Sequence, residues 1–212
     1  MQERTQQTCA GCARVEPCGY CYPWVDLPDD FNADAWVTSD HHWGHRNIAR
    51  YQHRPKTNFA IMLRKWERTV AAEDTVLHLG DLVVYAGPDF LLEGEWLETL
   101  PGRKFLLRGN HDRQSDAWYR EAGFEPLGRR PILWTDPETG IVVCFSHEPA
   151  HQDGSWTVNV HGHVHSNRPA AYVDVALRVN VSVEVRDYAP VRLRDILAIC
   201  THTVYDSVVI SN

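Results

Sequence analysis

Short apolar runs of strand length, each followed by a polar cluster, recur along this sequence. The runs are Ala35–Thr38, Thr75–Leu79, Lys104–Leu107, Ile141–Phe145 and Thr157–Val160. Segments with helical periodicity lie between or after the first three runs, at Phe59–Ala72, Phe90–Leu100 and Ser115–Ala122. Alternation of strands and helices is typical of βαβ units, so the pattern predicts an α/β domain with a largely parallel sheet in its first half.

The second half of the chain has a different pattern. Two apolar runs, Ile132–Thr135 and Ile141–Phe145, flank the turn-rich segment Asp136–Gly140, which is typical of a β-hairpin. Polar and apolar residues alternate over Arg178–Val185, as in a half-buried strand. The pattern predicts a second, more antiparallel sheet.

Length and composition indicate one packed domain. The chain has 212 residues, of which 43% are hydrophobic, enough to bury a full core. We divide it into a Cys-rich leader (1–24), a linker (25–34) and a catalytic domain (35–212). No apolar run is long enough to span a membrane, and the start lacks the features of a secretory signal, so we expect a cytoplasmic protein without a membrane partner.

The charge balance bears on the class of substrate. With 21 Lys and Arg against 28 Asp and Glu, the net charge is −7. Proteins that bind nucleic acid through its phosphates usually present a broad positive surface. Nucleic acid is therefore not favoured as a partner, although a local basic pocket remains compatible with these numbers.

The leader contains two Cys-x-x-Cys pairs, formed by Cys9 with Cys12 and by Cys18 with Cys21. Four thiolates complete a tetrahedral zinc site, and thiols stay reduced in the cytoplasm. The five residues between the pairs are fewer than in the usual zinc ribbon. A structural Zn²⁺ and a tail with free thiols both remain open.

The polar clusters that follow the strands are rich in metal-ligating side chains. They are Ser39–His42, Gly80–Asp81, Gly109–Asp112, Ser146–His147 and Gly162–His165. In an open α/β sheet, loops at the carboxyl ends of the strands converge on the ligand site. The five clusters can therefore meet at one point.

The number of ligand candidates fits two cations. The candidates are Asp40, His42, Asp81, Asn110, His147, His163 and His165, which exceed the needs of one four-coordinate ion. If Asp81 bridges, it joins Asp40, His42 and His165 at one ion. It then joins Asn110, His147 and His163 at the other. Such a centre binds an anion and acidifies water, and a phosphate ester is the natural anion.

Local spacing supports this grouping. Asp40 and His42 are separated by one residue, as are His163 and His165, so each pair projects to one side of an extended chain or a tight loop. Glycines at 80, 109 and 162 leave room beside the ligands. Imidazole and oxygen donors without thiolate point away from Ca²⁺ and Mg²⁺ and toward ions such as Mn²⁺, Fe, Zn²⁺ or Ni²⁺.

The ordered motifs resemble those of the calcineurin-like metallophosphoesterases, and the resemblance extends over roughly residues 35 to 195. Within that superfamily, the segments Thr38–Tyr51, Ser146–Pro149 and Asn159–Asn167 are similar to small bacterial and phage members without a cap domain. The resemblance implies a four-layer αββα sandwich of two mixed sheets, a dinuclear centre at the strand ends, and the ligand set above. It also implies that a metal-activated hydroxide attacks phosphorus.

His111 is the expected proton donor to the leaving group, since it follows the ligand candidate Asn110, and the resemblance makes it the catalytic histidine. The protein-phosphatase branch has a further Asp after Gly-Asp, whereas Asp81 here is followed by an apolar run. Its absence argues against phosphoprotein substrates. We expect Asp112 to orient His111 in its place.

Residues beside the ligand loops are candidates for binding substrate phosphate. They are His45, Arg46, Asn47, Arg113 and Arg168. The favoured function is hydrolysis of a small phosphoester or nucleotide, by phosphodiesterase or phosphatase activity. The alternatives are a nuclease and, last, a non-catalytic scaffold of the same fold.

Overall fold

The computed structural model describes residues 27–84 and 95–209. The cysteine leader, with its predicted zinc ligands, lies outside the described residues. So does the first part of the helix predicted from Phe90.

The first sheet contains β1 (Trp36–Thr38), β2 (Thr75–His78), β3 (Arg103–Leu106), β4 (Phe124–Pro126) and β10 (Val191–Arg192). Its strand order is β10-β1-β2-β3-β4. Strands β1 to β4 are parallel and β10 pairs antiparallel with β1. The parallel first half predicted from the sequence is therefore confirmed.

The second sheet contains β5 (Ile132–Thr135), β6 (Val142–Ser146), β7 (Val158–His161), β8 (Ala171–Val173) and β9 (Leu177–Asn180). Its order is β5-β6-β7-β9-β8. The expectation of a more antiparallel second sheet is confirmed, because both of its edge strands, β5 and β8, are antiparallel, whereas its three central strands are parallel and the first sheet has only β10 antiparallel. Long connections return the chain to the same end of the sheet before β7 and β9 begin.

Five α-helices occur in the described chain: α1 (Ile48–Tyr51), α2 (Asn58–Thr69), α3 (Glu95–Thr99), α4 (Asp116–Glu121) and α5 (Leu193–Val209). Ser115 caps the N-terminus of α4, and its side chain accepts a hydrogen bond from the backbone N–H of Trp118. Short 3₁₀ turns occur at His165–Asn167 and Val183–Val185. The second turn falls within the strand predicted over Arg178–Val185, so the extended segment there is shorter than expected.

Two apolar cores hold the layers together. The core between the sheets contains Val37 and Leu77 from the first sheet and Phe145 and Val160 from the second. The other core packs helix residues such as Trp66 against the first sheet. Each sheet turns one face to the inter-sheet core because side chains alternate along a strand. The prediction of an α/β fold with two mixed sheets is confirmed.

Candidate metal centre

Three buried side chains at the strand ends form what we call the inner donor cluster: Asp40, His42 and His165. Their relative exposures are 0%, 4% and 8%. The Asp40 Oδ1 atom lies 3.8 Å from His42 Nε2 and 3.9 Å from His165 Nε2. The loops after β1 and β7 supply these residues, so the two sheets meet here.

A second group, the outer donor cluster, consists of Asn110, His147 and His163. The Asn110 Oδ1 atom lies 2.9 Å from His147 Nε2 and 3.1 Å from His163 Nδ1. These two ring nitrogens are 3.3 Å apart. Asn110 and His163 are exposed, whereas His147 is buried, so this cluster reaches the solvent.

Asp81 lies between the two clusters. Its Oδ2 atom is 3.3 Å from His42 Nε2 in the inner cluster and 3.4 Å from His147 Nε2 in the outer cluster. One carboxylate oxygen thus faces donors from both groups. This arrangement suits a ligand shared by two cations.

The residues predicted as metal ligands have unusual backbone conformations. Of the eight non-glycine residues with positive φ in the described chain, five belong to this set: Asp40, His42, Asp81, His163 and His165. The left-handed region costs such residues roughly 1–3 kcal/mol each, and strain of this kind concentrates at functional sites. Of the two geometries left open by the spacing, the structure has the tight loop.

Glycine at two positions allows these loops to approach one another. A Cβ added to Gly80, whose φ is +96°, would lie 2.7 Å from the His147 ring nitrogen Nδ1. A Cβ added to Gly162 would clash with Ser39 and with the Asp40 carboxylate. Any side chain at either position would therefore displace a ligand candidate.

Unpartnered polar atoms indicate that the site fits a cation. Asp40 Oδ1 and both ring nitrogens of His42 are buried without a hydrogen-bond partner. Buried polar atoms rarely stay unpaired in proteins. The inner cluster therefore presents lone pairs toward a common point, as a metal site requires.

Hydrogen bonds orient several of these donors. The Nδ1 atom of His147 donates to the Leu79 carbonyl at 2.8 Å, which leaves the Nε2 lone pair free for a metal. Asp40 Oδ2 accepts from the His163 backbone N–H and from the Ser182 hydroxyl, both at 2.9 Å. Its Oδ1 atom is left facing the site.

Electrostatics in the metal-free site favour charge separation. Burial alone would raise the pKa of Asp40, but His42, His147 and His165 hold it below its ordinary range. Burial opposes protonation of His147, yet its hydrogen bond to Asp81 and the charges of Asp40 and Asp81 raise its pKa to about 9. The carboxylates thus stay ionised, and a proton on His147 must leave before a metal binds.

Asp112, which we expected to orient His111, contacts backbone N–H groups in the structure. Its carboxylate is buried and accepts backbone N–H bonds from Asp81, Gly109 and Leu82 at 2.7 to 3.0 Å, and a further bond from Tyr119 at 3.3 Å. Burial raises its pKa. These contacts tie the Asp81 loop to the loop that carries Asn110, and they occupy both carboxylate oxygens.

His111 is half-buried beside the inner cluster, with its ring centroid 5.3 Å from that of His42. Its backbone N–H donates to Asp81 Oδ1 at 2.8 Å. Burial lowers the pKa of its imidazole. His111 therefore adjoins the donor clusters with its ring partly open to solvent.

The substrate-binding candidates differ in how near they lie to the donors. His45 is half-buried, and its ring centroid is 6.0 Å from that of His42. Arg46 and Asn47 are exposed, just before α1. Arg113 is exposed after the Asn110 loop, and the exposed Arg168 guanidinium lies 5.6 Å from the Tyr172 ring.

Two charged residues near the inner cluster were missed from the sequence. The side chains of Arg54 and Glu184 are both buried, and Glu184 Oε1 lies 2.8 Å from His165 Nδ1. They are 130 positions apart and carry no motif, so no pattern in the sequence pairs them. Only the packing of the two sheets brings them together.

Comparison with protein-family models identifies the same family as the motifs. The model of the calcineurin-like phosphoesterases matches residues 34–202, which is most of the chain. The chain belongs to this family. All seven ligand candidates lie inside the matched segment.

Relatives of this chain occur in archaea and phages. An uncharacterized protein of Methanocaldococcus jannaschii is 32% identical over 165 residues, covering 74% of this chain and 86% of its own length. The Gene 66 protein of Mycobacterium phage D29 is 36% identical over 91 residues, covering 42% of this chain and 45% of that protein. Among solved structures, a protein of unknown function from Aquifex aeolicus aligns with a TM-score of 0.61 at 24% identity. That alignment covers 78% of this chain and 98% of the other, and it shows the shared fold.

No helix among the described residues is long and apolar enough to cross a membrane.

Proposed function

We propose that this protein is a metal-dependent hydrolase of phosphoric esters that holds two divalent ions and acts on a small phosphoester or nucleotide. The observation that carries the proposal is the position of Asp81 Oδ2, between a buried and a half-open group of donors. The family membership supports the reaction class, and the convergence of oxygen and imidazole donors supports the metals.

Each ion would be held by one cluster, with Asp81 shared. The inner cluster offers a carboxylate and two imidazoles, and the outer cluster offers an amide oxygen and two imidazoles. Such donors suit Mn²⁺, and also Fe, Zn²⁺ or Ni²⁺. Bound ions supply positive charge that acidifies water and stabilises the phosphoryl oxygens in the transition state.

Residues of the chain perform the remaining steps. His111 lies beside the inner cluster, directly after Asn110 of the outer cluster in the sequence, and would deliver a proton to the leaving alkoxide. Its lowered pKa makes it a stronger acid than an ordinary imidazole. Asp112 would fix the loop that carries Asp81 and so act through that ligand. His45, Arg46, Asn47, Arg113 and Arg168 follow the ligand loops along the chain and would bind the rest of the substrate.

The substrate class follows from access to the centre. Exposed His163 and half-buried His111 leave the outer side of the site open to solvent. An open site admits diesters as well as monoesters. Because the net charge of −7 opposes a second polyanion, we favour small substrates over nucleic acid.

The experiment compares esters with and without metal. The purified protein is stripped with a chelator and assayed on a chromogenic phosphodiester, its monoester and a single-stranded oligonucleotide, before and after addition of Mn²⁺. We expect Mn²⁺ to restore turnover of a small ester, and Asp81→Ala to abolish it. Cleavage of the oligonucleotide alone would indicate the nuclease. A folded protein inactive on every ester with Mn²⁺, Fe²⁺, Zn²⁺ and Ni²⁺ would contradict the proposal.

A further inference from the structure

We infer that the buried ion pair of Arg54 and Glu184 is a positioning device for the inner donor cluster alone, and that it sets the metal affinity of that half of the centre. The inference rests on the proposed function, because it requires that the centre bind metal. Neither residue faces the donors of the outer cluster through any contact found in the described chain.

Arg54 holds the loop that carries two inner donors. Its guanidinium donates to the carbonyl oxygens of Asp40 at 2.6 Å and of His41 at 2.7 Å. These carbonyls belong to the turn in which Asp40 and His42 adopt positive φ. Hydrogen bonds from a cation at this place stabilise a backbone conformation that costs free energy by itself.

Glu184 holds the third inner donor. Its Oε1 atom accepts from His165 Nδ1 at 2.8 Å, so the proton of the neutral ring resides on Nδ1. The Nε2 lone pair then faces Asp40, in the direction of the site. Carboxylates bonded to ligating histidines in this manner fix the tautomer and increase the basicity of the ring.

The two residues also hold each other. Glu184 Oε1 accepts from Arg54 Nε at 2.7 Å and lies 2.5 Å from the second terminal nitrogen, Nη2. The two side chains are 0% and 5% exposed. Removal of one partner leaves the other as an uncompensated buried charge. One guanidinium thus links the loop that carries Asp40 and His42, through the carbonyls of Asp40 and His41, to the carboxylate that orients His165.

The outer cluster has a different support. His147 Nδ1 donates to the backbone carbonyl of Leu79. Asn110 and His163 are exposed, and their side-chain contacts in the described chain are with each other and with His147. Loss of Arg54 or Glu184 therefore removes no hydrogen bond from this cluster. The pair should act on one ion and leave the second unchanged.

The test is a calorimetric titration of Mn²⁺ into the metal-free full-length protein. We expect two binding events in the wild type, and His163→Ala identifies the event of the outer cluster by weakening it. Glu184→Ala should weaken the other event by about 10-fold to 100-fold, the usual effect of losing an outer hydrogen-bond partner of a ligand. Glu184→Gln, which keeps the side-chain volume, should weaken the same event. It serves as the test variant if the alanine variant folds poorly.

A matched control separates positioning from general stability. Arg192→Ala removes a half-buried ion pair with Asp74, which precedes β2 at the opposite end of the sheet. It should lower the midpoint of thermal unfolding without changing either Mn²⁺ event. Nitrogen NMR of the metal-free protein, at a pH where His165 is neutral, should show the Nδ1–H tautomer in the wild type and a mixture in Glu184→Ala.

The outcomes are distinct. Unchanged affinity in both Glu184 variants, or equal weakening of the two events, would overturn the inference. A wild type that binds no Mn²⁺, Fe²⁺, Zn²⁺ or Ni²⁺ would instead contradict the proposed function.

Discussion

The two donor clusters differ in what surrounds them. Every side chain of the inner cluster is buried, and charged or hydroxyl side chains support it from behind. The outer cluster has two exposed members, and a backbone carbonyl orients its one buried histidine. An ion bound by buried, rigidly held ligands exchanges slowly, whereas an ion at the protein surface is accessible to substrate.

The comparison suggests a division of labour between the halves of the centre. Under the proposed function, the inner half would provide affinity and fixed geometry, and the outer half would provide access for the phosphoester. Asp81 belongs to both halves. The comparison can therefore be tested with three kinds of variant. Some should affect both donor clusters, some should affect neither, and some should affect only the residues that support the clusters.

The largest effect is expected for Asp81→Ala, which breaks the comparison by damaging both halves together. Losing the shared carboxylate should weaken both Mn²⁺ events and lower kcat/KM by about 10³-fold or more, since metal charge contributes several kcal/mol to catalysis. Steady-state assays with the chromogenic ester measure the loss. Near-normal activity with both ions bound would show that Asp81 does not connect the clusters.

His111→Asn should come next, and it separates proton transfer from metal binding. We expect kcat to fall about 10²-fold to 10³-fold, in the range typical of a general acid, while both Mn²⁺ events persist. The loss should shrink on esters whose leaving group needs no proton. An equal loss on every leaving group would contradict the assignment of His111 as the acid.

Asp112→Asn addresses the support beneath the shared residue. The amide places a donor against backbone N–H groups that the carboxylate now satisfies, which should lower the free energy of unfolding by about 1–3 kcal/mol. Urea denaturation measures this change. Asp116→Asn, at an exposed ion pair with Arg108, is the control and should cost less than about 1 kcal/mol. Equal costs would show that Asp112 is not a special anchor.

The smallest effect concerns a histidine pair beneath the inner cluster. His78 Nδ1 accepts from the Gly80 N–H at 3.1 Å, so its Nε2 donates to His41 Nδ1 at 2.9 Å and both rings are neutral. Burial lowers the pKa of His78 to about 3 from an ordinary value of 6.5. Between these values the unfolded chain binds the extra proton, so the free energy of unfolding of the metal-free protein falls as pH falls below 6.5.

His78→Gln should reduce the slope of the free energy of unfolding against pH by about 1.4 kcal/mol per pH unit, which corresponds to about one proton. Urea denaturation of the metal-free protein from about pH 7 to about pH 5 measures it. His151→Gln is the control, because His151 is exposed and solvent surrounds it in both states. An unchanged slope in His78→Gln would show that His78 is already protonated in the folded protein.

Strands β1, β2 and β3 of the first sheet could be predicted because each is a short apolar run closed by polar residues. The strand pairing within the second sheet could not be predicted in this way. The parallel pairing of β6, β7 and β9 depends on long connections, whose paths no local pattern specifies. The short edge strands β4, β8 and β10 and the C-terminal helix were not predicted, because pairing with β3, β9 and β1 and packing on the inter-sheet core define them.

The sequence allowed the donor residues to be grouped, but it did not reveal the residues that hold those donors in place. Spacing and chemistry grouped Asp40 with His42 and His165, and the structure brings these atoms together. Their roles as ligands remain predictions. Arg54, Glu184 and Ser182 were missed because a supporting residue needs only a position in space, which the sequence does not give.

The central claim is that two ions share Asp81. Anomalous diffraction from crystals of the Mn²⁺-loaded protein tests it most directly. The account predicts two peaks roughly 3.5–4 Å apart, one at each donor cluster, with the Asp81 carboxylate between them. A single peak, or peaks away from Asp81 in crystals grown with saturating Mn²⁺, would contradict it.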